Sequence, residues 1–538
     1  MNSLIIAEQF HQLAKLMELH QENVFKVKAI SNAASILEKL NQDINLENYH
    51  SLAEIKGIGK NILQKINEVL THGKIIELEE YENKTPETVI ELLNIRGLGP
   101  SKVFKLWKEL NIVSVEELIY ACKNNLLKNV KGFGEKTQQT IYENVLLYLQ
   151  HRNKLQLGIA LSVAEEISCI LQQNGINTEL TGELRRQCEV VNQIEFITTD
   201  KIDTSLLQKI QQLSDIPVVV HTCKREEYVF KLFETTGSSD FLEEINFYHL
   251  KKHTYKSEEE IFNELKHNYL PAFQRECSKE YYEVNRPIFH NKNLIQLEDF
   301  KGILHCHTQY SDGLNTIDEF ADFVRENGCE YFGICDHSQS AKYANGLSEE
   351  RVFQQFQVID KYNKKHKNFR ILKGIESDIL KDGSLDYSAD VLSQFDFVVA
   401  SIHNHFDMNE EEATKRLIKA IENPYTTILG HLTGRLLLIR RGYPVNHKKI
   451  IDACAANNVV IELNANTYRL DIDWRWLQYC MHKGVKIAIN PDAHEKTAIK
   501  DIQYGVMVAQ KAGLTKEFCI NTMSLKELLN FLKHHRKL

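Results

Sequence analysis

The spacing of hydrophobic and polar positions changes character twice along the chain. Up to about residue 150, apolar residues recur at helical spacing and the breaks are short Gly-containing turns, so the pattern predicts a run of short helices. The opening stretch, MNSLIIAEQFHQLAKLMELH, lacks a basic start and carries Glu8 early, which marks an amphipathic helix rather than a signal peptide. From about 155 to 240 a helix (LGIALSVAEEISCILQQNG) is followed by strand-like runs such as IEFITT and IPVVVHT. Residues 241–300 are polar and irregular around one helical piece, SEEEIFNELKHNYL. From Lys301 the runs GILHCH, YFGICDH, FRILKGIES, DFVVASIHN, TTILGH, NVVIELNAN and VKIAINPDAH alternate with helical stretches. Continuous apolar strands alternating with helices predict a parallel sheet buried on both faces. Seven such units favour a closed α/β barrel, with an open sheet as the alternative.

Length and composition narrow this reading. A chain of 538 residues exceeds one core and implies roughly three or four domains. The boundaries are expected at 1–80, 81–150, 151–295 and 296–538. No apolar run reaches about 18 residues, so no membrane span is expected. The eleven cysteines form no CxxC pair, which favours reduced thiols, a cytoplasmic location and no zinc ribbon. A monomer is expected. The net charge of −8 argues against DNA binding through a basic surface alone. It leaves open phosphates held by backbone amides and metal ions. Histidine is the informative residue: there are 22, many directly after strand-like runs.

Three N-terminal segments repeat one pattern: EIKGIGKNILQKI, NIRGLGPSKVFKL and NVKGFGEKTQQTI. Each places a basic residue before a glycine pair, Gly57/Gly59, Gly97/Gly99 and Gly132/Gly134, and then opens a helix. Glycine permits close approach of a phosphate, and the helix start offers unpaired N–H groups and a positive dipole end. The unit can hold a DNA phosphate without reading bases. This is the helix-hairpin-helix signature, although a GxG can also serve only as a tight helix–helix turn.

The strand ends of the C-terminal half carry the chemistry. They read His305-Cys306-His307 followed by Asp312, then Asp336-His337, Glu376, His403, His431 and Asp492-Ala493-His494. Two histidines two apart on a strand share a face, and parallel barrel strands converge at one mouth. His305, His307, Asp312, His337, Glu376, His403, His431, Asp492 and His494 are therefore expected to line one pocket. Nine such ligands exceed one ion and suit two or three ions of Zn, Mn or Fe type with a bridging carboxylate. That chemistry fits phosphoester hydrolysis. Cys306 is expected in the core, and His290, His405 and His482 at the surface or rim.

HCHTQYSDG, CDHS, GIES, SIHN, GHLTGRL and PDAH resemble the motifs of the PHP (polymerase and histidinol phosphatase) domain. The resemblance implies that His305, His307, Glu376 and Asp492 hold one ion, that Glu376, His403 and His431 hold a second, and that Asp312, His337 and His494 hold a third. It also gives Arg435 a place near the metal mouth, where it would meet a phosphate or form a surface salt bridge. Helix-hairpin-helix repeats ahead of such a domain resemble the bacterial family X DNA polymerases, which implies an α/β nucleotidyltransferase-like palm over 151–295. In that family the palm opens with Gly-Ser-x-Arg-Arg followed by Asp-x-Asp. Here the stretch is Gly182-Glu183-Leu184-Arg185-Arg186, and Gln193-Ile194-Glu195 stands where the aspartates belong. Two magnesium ions over a triphosphate need closely spaced carboxylates, so Mg binding in this palm is doubtful and polymerisation is expected to be lost. Thr236-Gly237-Ser238 resembles the sugar-contacting turn. By resemblance, Lys65 matches a lysine that forms a Schiff base with an abasic sugar, with a solvated or phosphate-contacting lysine as the alternative.

The expected function is DNA repair in the base-excision manner. The repeats would hold gapped, nicked or damaged duplex without sequence preference, and a metal-dependent 3′–5′ exonuclease barrel, with Glu376, Asp312 and His337 at its centre, would act on it. An active gap-filling polymerase, a non-catalytic DNA scaffold and a histidinol-phosphatase-type enzyme are the alternatives.

Overall fold

The computed structural model describes residues 3–40, 44–128, 130–251, 253–276 and 293–535. It divides into two units, residues 1–152 and 153–538. In the first, the helical period is realised as α1 (Ser3–Leu19), α2 (Val24–Leu40), α3 (Lys60–His72), α4 (Ile76–Lys84), α5 (Glu87–Leu92), α6 (Pro100–Lys108), α7 (Val115–Lys123) and α8 (Gly134–His151). Ile6, Phe10, Leu13 and Met17 lie three or four apart on α1 and are fully buried, the stripe expected of an amphipathic helix.

All three repeats form the same turn. The N–H of Ile58 donates to the carbonyl of Ile55, that of Leu98 to Ile95, and that of Phe133 to Val130, each at 3.0 Å. Ile58, Leu98 and Phe133 point into the core, and the first glycines, Gly57, Gly97 and Gly132, stand at φ +108°, +84° and +98°. That left-handed backbone is why glycine is needed there. Gly59 and Gly99 are the N-caps of α3 and α6. The third copy departs, because Gly134 is itself the first residue of α8, at φ +55°. The second and third copies interlock: Lys105 Nζ donates to the Lys131 carbonyl (3.0 Å) and Asn144 Nδ2 to the Arg96 carbonyl (2.9 Å).

The second unit begins with a small α/β layer. β1 (Leu155–Gln156) pairs antiparallel with β3 (Val190–Val191), and β2 (Glu179–Thr181), β4 (Ile194–Thr198) and β5 (Val218–Thr222) form a sheet in the order β2-β4-β5. Helix α9 (Leu157–Gln173) buries Ala160, Ala164, Ile167 and Leu171, and these belong to one continuous core with Ile194, Phe196 and the outer layer of the barrel.

The seven apolar runs become β6 (Gly302–Cys306), β7 (Tyr331–Ile334), β8 (Arg370–Asp378), β9 (Phe397–Ser401), β10 (Ile428–Leu429), β11 (Val460–Asn464) and β12 (Ile487–Asn490). They form one sheet in chain order, every neighbouring pair parallel. β12 returns to β6 through a parallel bridge from Cys306 to Ala493, so the barrel is nearly closed. Leu304, Leu372, Phe397, Val399, Ile428, Val460 and Ala488 share a core with Ile520, and with Leu528 and Leu532 of the helix Leu525–His535.

A buried ion network ties the small layer to the barrel. Glu276 accepts from Arg186 Nε (3.1 Å) and Cys188 Sγ (2.7 Å) and lies 3.4 Å from the fully buried Lys511 ammonium. Burial alone would raise the Glu276 carboxyl, but Lys511 and Arg186 outweigh it and bring it from 4.5 down to about 2. Because the folded value is depressed, the stabilisation is fully present above about pH 4.5 and is lost as pH falls toward about 2. Removing one partner of such a buried set costs about 3–5 kcal/mol. Urea unfolding of Glu276→Gln is therefore expected to show a large deficit at neutral pH that shrinks steadily below pH 4.5. A deficit that stays constant down the acid limb would contradict this assignment.

Candidate metal centre

The mouth of the barrel is built by backbone irregularity as much as by strand alternation. The β6–β7 register shifts between Ile303 and Cys306, and His305 sits at φ +59°. Asp492, just past β12, sits at φ +52°. Non-glycine residues in this region are strained, and such strain is found where a site requires it. The two imidazoles of His305-Cys306-His307 do meet, their ring centroids 5.3 Å apart, but a bulge brings them together rather than the regular pleat expected from sequence. Cys306 is buried in the core.

Glu376, at the end of β8 and 1% exposed, is surrounded by histidine. Its Oε1 lies 3.0 Å from His431 Nε2, 3.1 Å from His403 Nε2 and 3.4 Å from His305 Nε2. Its Oε2 lies 3.0 Å from His337 Nδ1 and 3.6 Å from His307 Nε2. Asp492 Oδ1 is 3.0 Å from His307 Nε2 and 3.5 Å from His305 Nε2. Asp312 lies 3.4 Å from His494 Nε2 and 3.7 Å from His337 Nε2. Two ligands about 2.1 Å from a tetrahedral ion are about 3.4 Å apart, so this spacing suits ligands around a cation.

Among the described residues, three groups have donor atoms mutually close enough to share an ion: His307, Asp312, His337 and His494; His305, His307 and Asp492; and His337, Glu376 and His403. His305 Nε2, His307 Nδ1, His337 Nδ1 and Glu376 Oε2 are buried without a hydrogen-bond partner. Buried polar atoms are normally paired, and this donor set fits divalent cations of nitrogen- and oxygen-binding type.

A second layer of residues, not singled out from sequence, orients the histidines. Glu462 Oε2 bonds His305 Nδ1 at 2.7 Å, and Asp378 Oδ1 bonds His403 Nδ1 at 2.6 Å, leaving each Nε2 turned to Glu376. Carboxylate–imidazole pairs of this kind fix the ring that ligates a metal. Asp336 is wholly buried and accepts from Thr308, Ser311 and Gln355, which ties down the loop before Asp312. The available signal was a carboxylate inside an apolar strand, as in VIELN and GIESD.

The electrostatics show how tightly the cluster is coupled. Burial disfavours charge on His403, yet Glu376 and Asp378 outweigh it and lift the imidazole to about 10. His494, buried but facing Asp312 and Asp492, rises to about 9. His307, buried beside His494 and His337, falls to about 3. Burial opposes the charge on Glu376, but the imidazoles of His403, His305 and His337 hold it far below the carboxylate range. Cations would replace the protons that otherwise balance these carboxylates.

Several expected residues lie elsewhere. The Arg435 guanidinium is turned from the mouth onto Asp473 Oδ2 (2.8 Å) and the carbonyls of Arg469 and Leu470. The arginine beside the cluster is Arg469, whose Nε lies 3.3 Å from Asp492 Oδ2. Lys65, in the first unit, is buried and bound to Glu77 Oε2 at 2.5 Å, so it is neither a solvated nor an open amine. His405 and His482 are exposed, and His290 lies outside the described residues.

The polar and charged groups around the small sheet are paired with one another. Glu195 Oε1 pairs with His221 Nε2 at 3.0 Å, and a Cβ on Gly182 would lie 1.8 Å from Glu195 Oε2, so that carboxylate fills the space over the glycine turn. Glu183 folds back onto the backbone and side chain of Asn192 (2.5 Å each). Arg185 is held by Glu258, and Arg186 by Glu276 and the Thr236 carbonyl. Ser238 caps the helix Ser239–Glu244.

Residues 304–466 match the PHP domain, 1–75 a helix-hairpin-helix domain, and 89–144 a SAM-like helix-hairpin-helix tandem. The chain is 33% identical to the DNA polymerase/3′-5′ exonuclease PolX of Bacillus subtilis (strain 168), covering 97% of this chain and 98% of that one. A probable phosphatase of Thermoanaerobacter sp. (strain X514) is 27% identical over 43% of this chain and 94% of its own length. Histidinol phosphate phosphatase from Lactococcus lactis, solved with zinc, L-histidinol and phosphate, covers 40% of this chain and 94% of its own at 16% identity and a TM-score of 0.31.

The layer of orienting carboxylates yields a direct expectation. Asp378→Asn should weaken metal retention by about 10–100-fold, read by competition with a chromophoric chelator on the intact protein. Unchanged retention would show that the Asp378–His403 pair serves packing alone.

Proposed function

The chain belongs to the bacterial family X DNA polymerases with a C-terminal PHP domain, and from that premise we propose that the PHP barrel is its working catalytic centre, a metal-dependent 3′–5′ exonuclease acting in DNA repair. The observation that carries this reading is Glu376, a buried carboxylate within 3.6 Å of five imidazoles.

In the proposed assignment His305, His307, Glu376 and Asp492 hold one ion, Glu376, His403 and His431 a second, and Asp312, His337 and His494 a third. Zn, Mn and Fe all suit these donors. When bound, such ions supply the Lewis acidity for in-line displacement at phosphorus. Glu376, buried among the imidazoles, would serve both of the first two positions. Asp312, on the partly exposed side, borders the approach of the scissile phosphate. Glu462 and Asp378 keep His305 and His403 in the ligating tautomer.

DNA is brought to this centre by the helix-hairpin-helix turns, whose exposed amides suit sequence-independent contact with gapped, nicked or damaged duplex. The protein is proposed to work as a cytoplasmic monomer in base excision repair, removing nucleotides or blocking groups at 3′ ends. The domain limits are proposed at 1–80, 81–150, 151–295 and 296–538. Two features speak against polymerisation. The neutral Gln193 and single Glu195 offer too little charge for two magnesium ions, and Glu195 occupies the turn over Gly182. The ion pair of Lys65 with Glu77 gives no support to lyase chemistry.

A 5′-labelled primer annealed to a template separates the readings. With manganese present the primer should shorten and, with nucleotides added, should not lengthen. Glu376→Ala should reduce shortening by at least about 100-fold, the scale on which loss of one electrostatic catalytic group is felt. Extension that disappears in Glu195→Ala would establish a polymerase instead.

A further inference from the structure

The metal cluster opens beside an aromatic side chain that neither its fold nor its metal binding uses. Tyr343 is 70% exposed. Its ring centroid lies 6.1 Å from that of His337 and 6.5 Å from that of His403, so it stands at the lip of the pocket. Lys342 beside it is also exposed. A large exposed aromatic is ordinarily carried on a loop free to adapt. This one sits on a single 3-10 turn, Lys342–Ala344, held from both ends.

The restraints are specific, and they run to the metal-holding elements. On the N-terminal side, Ser340 Oγ donates to Asp378 Oδ2 (2.6 Å), the carboxylate that orients His403, and the Ser340 amide donates to Asp386 (2.7 Å). On the C-terminal side, Asn345 Nδ2 donates to the carbonyls of Tyr310 (3.3 Å) and Ser311 (3.2 Å), next to Asp312. Arg351 Nη1 donates to the Asn345 carbonyl at 2.8 Å. Ala341 and Ala344 are buried on either side of the exposed pair. A Cβ on Gly346 would lie 1.9 Å from the Ser338 carbonyl, so the turn is packed against its own base. The backbone of the turn is thus anchored to the elements that carry His403 and Asp312, while the ring it bears is left to solvent.

An exposed aromatic face on an anchored turn, beside a cluster suited to a phosphoester, is what a nucleobase recognises. Base–aromatic stacking tolerates any base, because each has a π-face, and it is strengthened where the platform is preorganised. Lys342 supplies a positive charge for the backbone of the same strand. On another flank of the cluster Arg469 lies beside Asp492, with its carbonyl held by Arg435 Nε at 2.9 Å, and offers a guanidinium to a phosphate oxygen.

We propose that Tyr343 is the platform on which the base of the 3′-terminal nucleotide stacks while its phosphodiester lies over the metal cluster, with Lys342 and Arg469 on the flanking phosphate oxygens. The inference rests on the nuclease reading above and adds to it one contact, that of the Tyr343 ring with the base of the terminal nucleotide. Tyr343 is a binding and specificity residue and takes no part in bond cleavage.

The test uses the full-length, manganese-loaded protein and two 5′-labelled oligothymidylates, one ending in an ordinary 3′ nucleotide and one in a tetrahydrofuran abasic nucleotide. Tyr343→Ala should raise KM for the ordinary oligonucleotide about tenfold, equal to about 1.4 kcal/mol, with kcat nearly unchanged. It should leave the abasic substrate unaffected, and Tyr343→Phe, which keeps the ring, should behave like wild type on both. As a readout independent of turnover, an oligonucleotide with a 3′-terminal 2-aminopurine and a phosphorothioate end linkage should change fluorescence on binding wild type and Tyr343→Phe but not Tyr343→Ala. Equal loss on both substrates, or no loss on either, would overturn the stacking proposal while leaving the nuclease reading intact. If wild type shortened neither oligonucleotide, the nuclease reading would fail and the stacking proposal with it.

Discussion

One carboxylate organises the C-terminal half of this protein. Glu376 is buried at the end of β8, with five imidazoles within 3.6 Å of its two oxygens. An ionised carboxylate in such a place is costly unless opposite charge surrounds it. The sheet order brings the strand ends carrying those imidazoles around one mouth, and the left-handed residues His305 and Asp492 are the local strain the arrangement demands. Glu462 and Asp378 then fix the ring orientation of His305 and His403. Divalent cations are the physical answer to so many nitrogen donors converging on so little space, where they would replace the protons held by His403 and His494.

The other candidate centre shows the opposite economy of charge. In the small sheet each charged group already has a partner: Glu195 has His221, Glu183 has Asn192, Arg185 has Glu258 and Arg186 has Glu276. Among the described residues, no group of His, Cys, Asp or Glu in this layer converges on a position for a metal ion. What the layer does contribute is mechanical. Glu189 holds Arg475, which pairs with Asp473, which in turn holds Arg435 over the carbonyls of Arg469 and Leu470. The small layer thus reaches, through a chain of ion pairs, the loop that carries Arg469 to the cluster. These ion pairs make the small layer a mechanical support for the barrel.

Much of this was legible in the sequence because the signals were periodic or clustered. Seven apolar runs gave the barrel, the six of them that close on His, Asp or Glu gave the convergence of ligands, and three GxG units gave the hairpins. What remained hidden depended on tertiary approach. Arg435 sits in a motif that resembles a site arginine, yet its side chain is captured by Asp473, and Arg469, in a segment without a recognisable pattern, takes the place beside Asp492. Glu462 reads as one charged residue in a buried strand, and only the return of β11 across the barrel from His305 gives it a role. Lys65 lies on a helix with the expected spacing, but its burial against Glu77 comes from α4, a separate element. The bulge at His305 has no sequence mark at all.

The central claim is that Glu376 joins ions held by the strand-end ligands, and anomalous X-ray diffraction from crystals of the full-length protein, recorded across the absorption edge of the bound metal, tests it most directly. Anomalous peaks are expected at about 2.0–2.2 Å from the imidazole nitrogens and carboxylate oxygens, with Glu376 contributing to two of them. Crystals grown from metal-supplemented protein that show no anomalous density near Glu376, or density bound only at surface histidines such as His405 and His482, would contradict it.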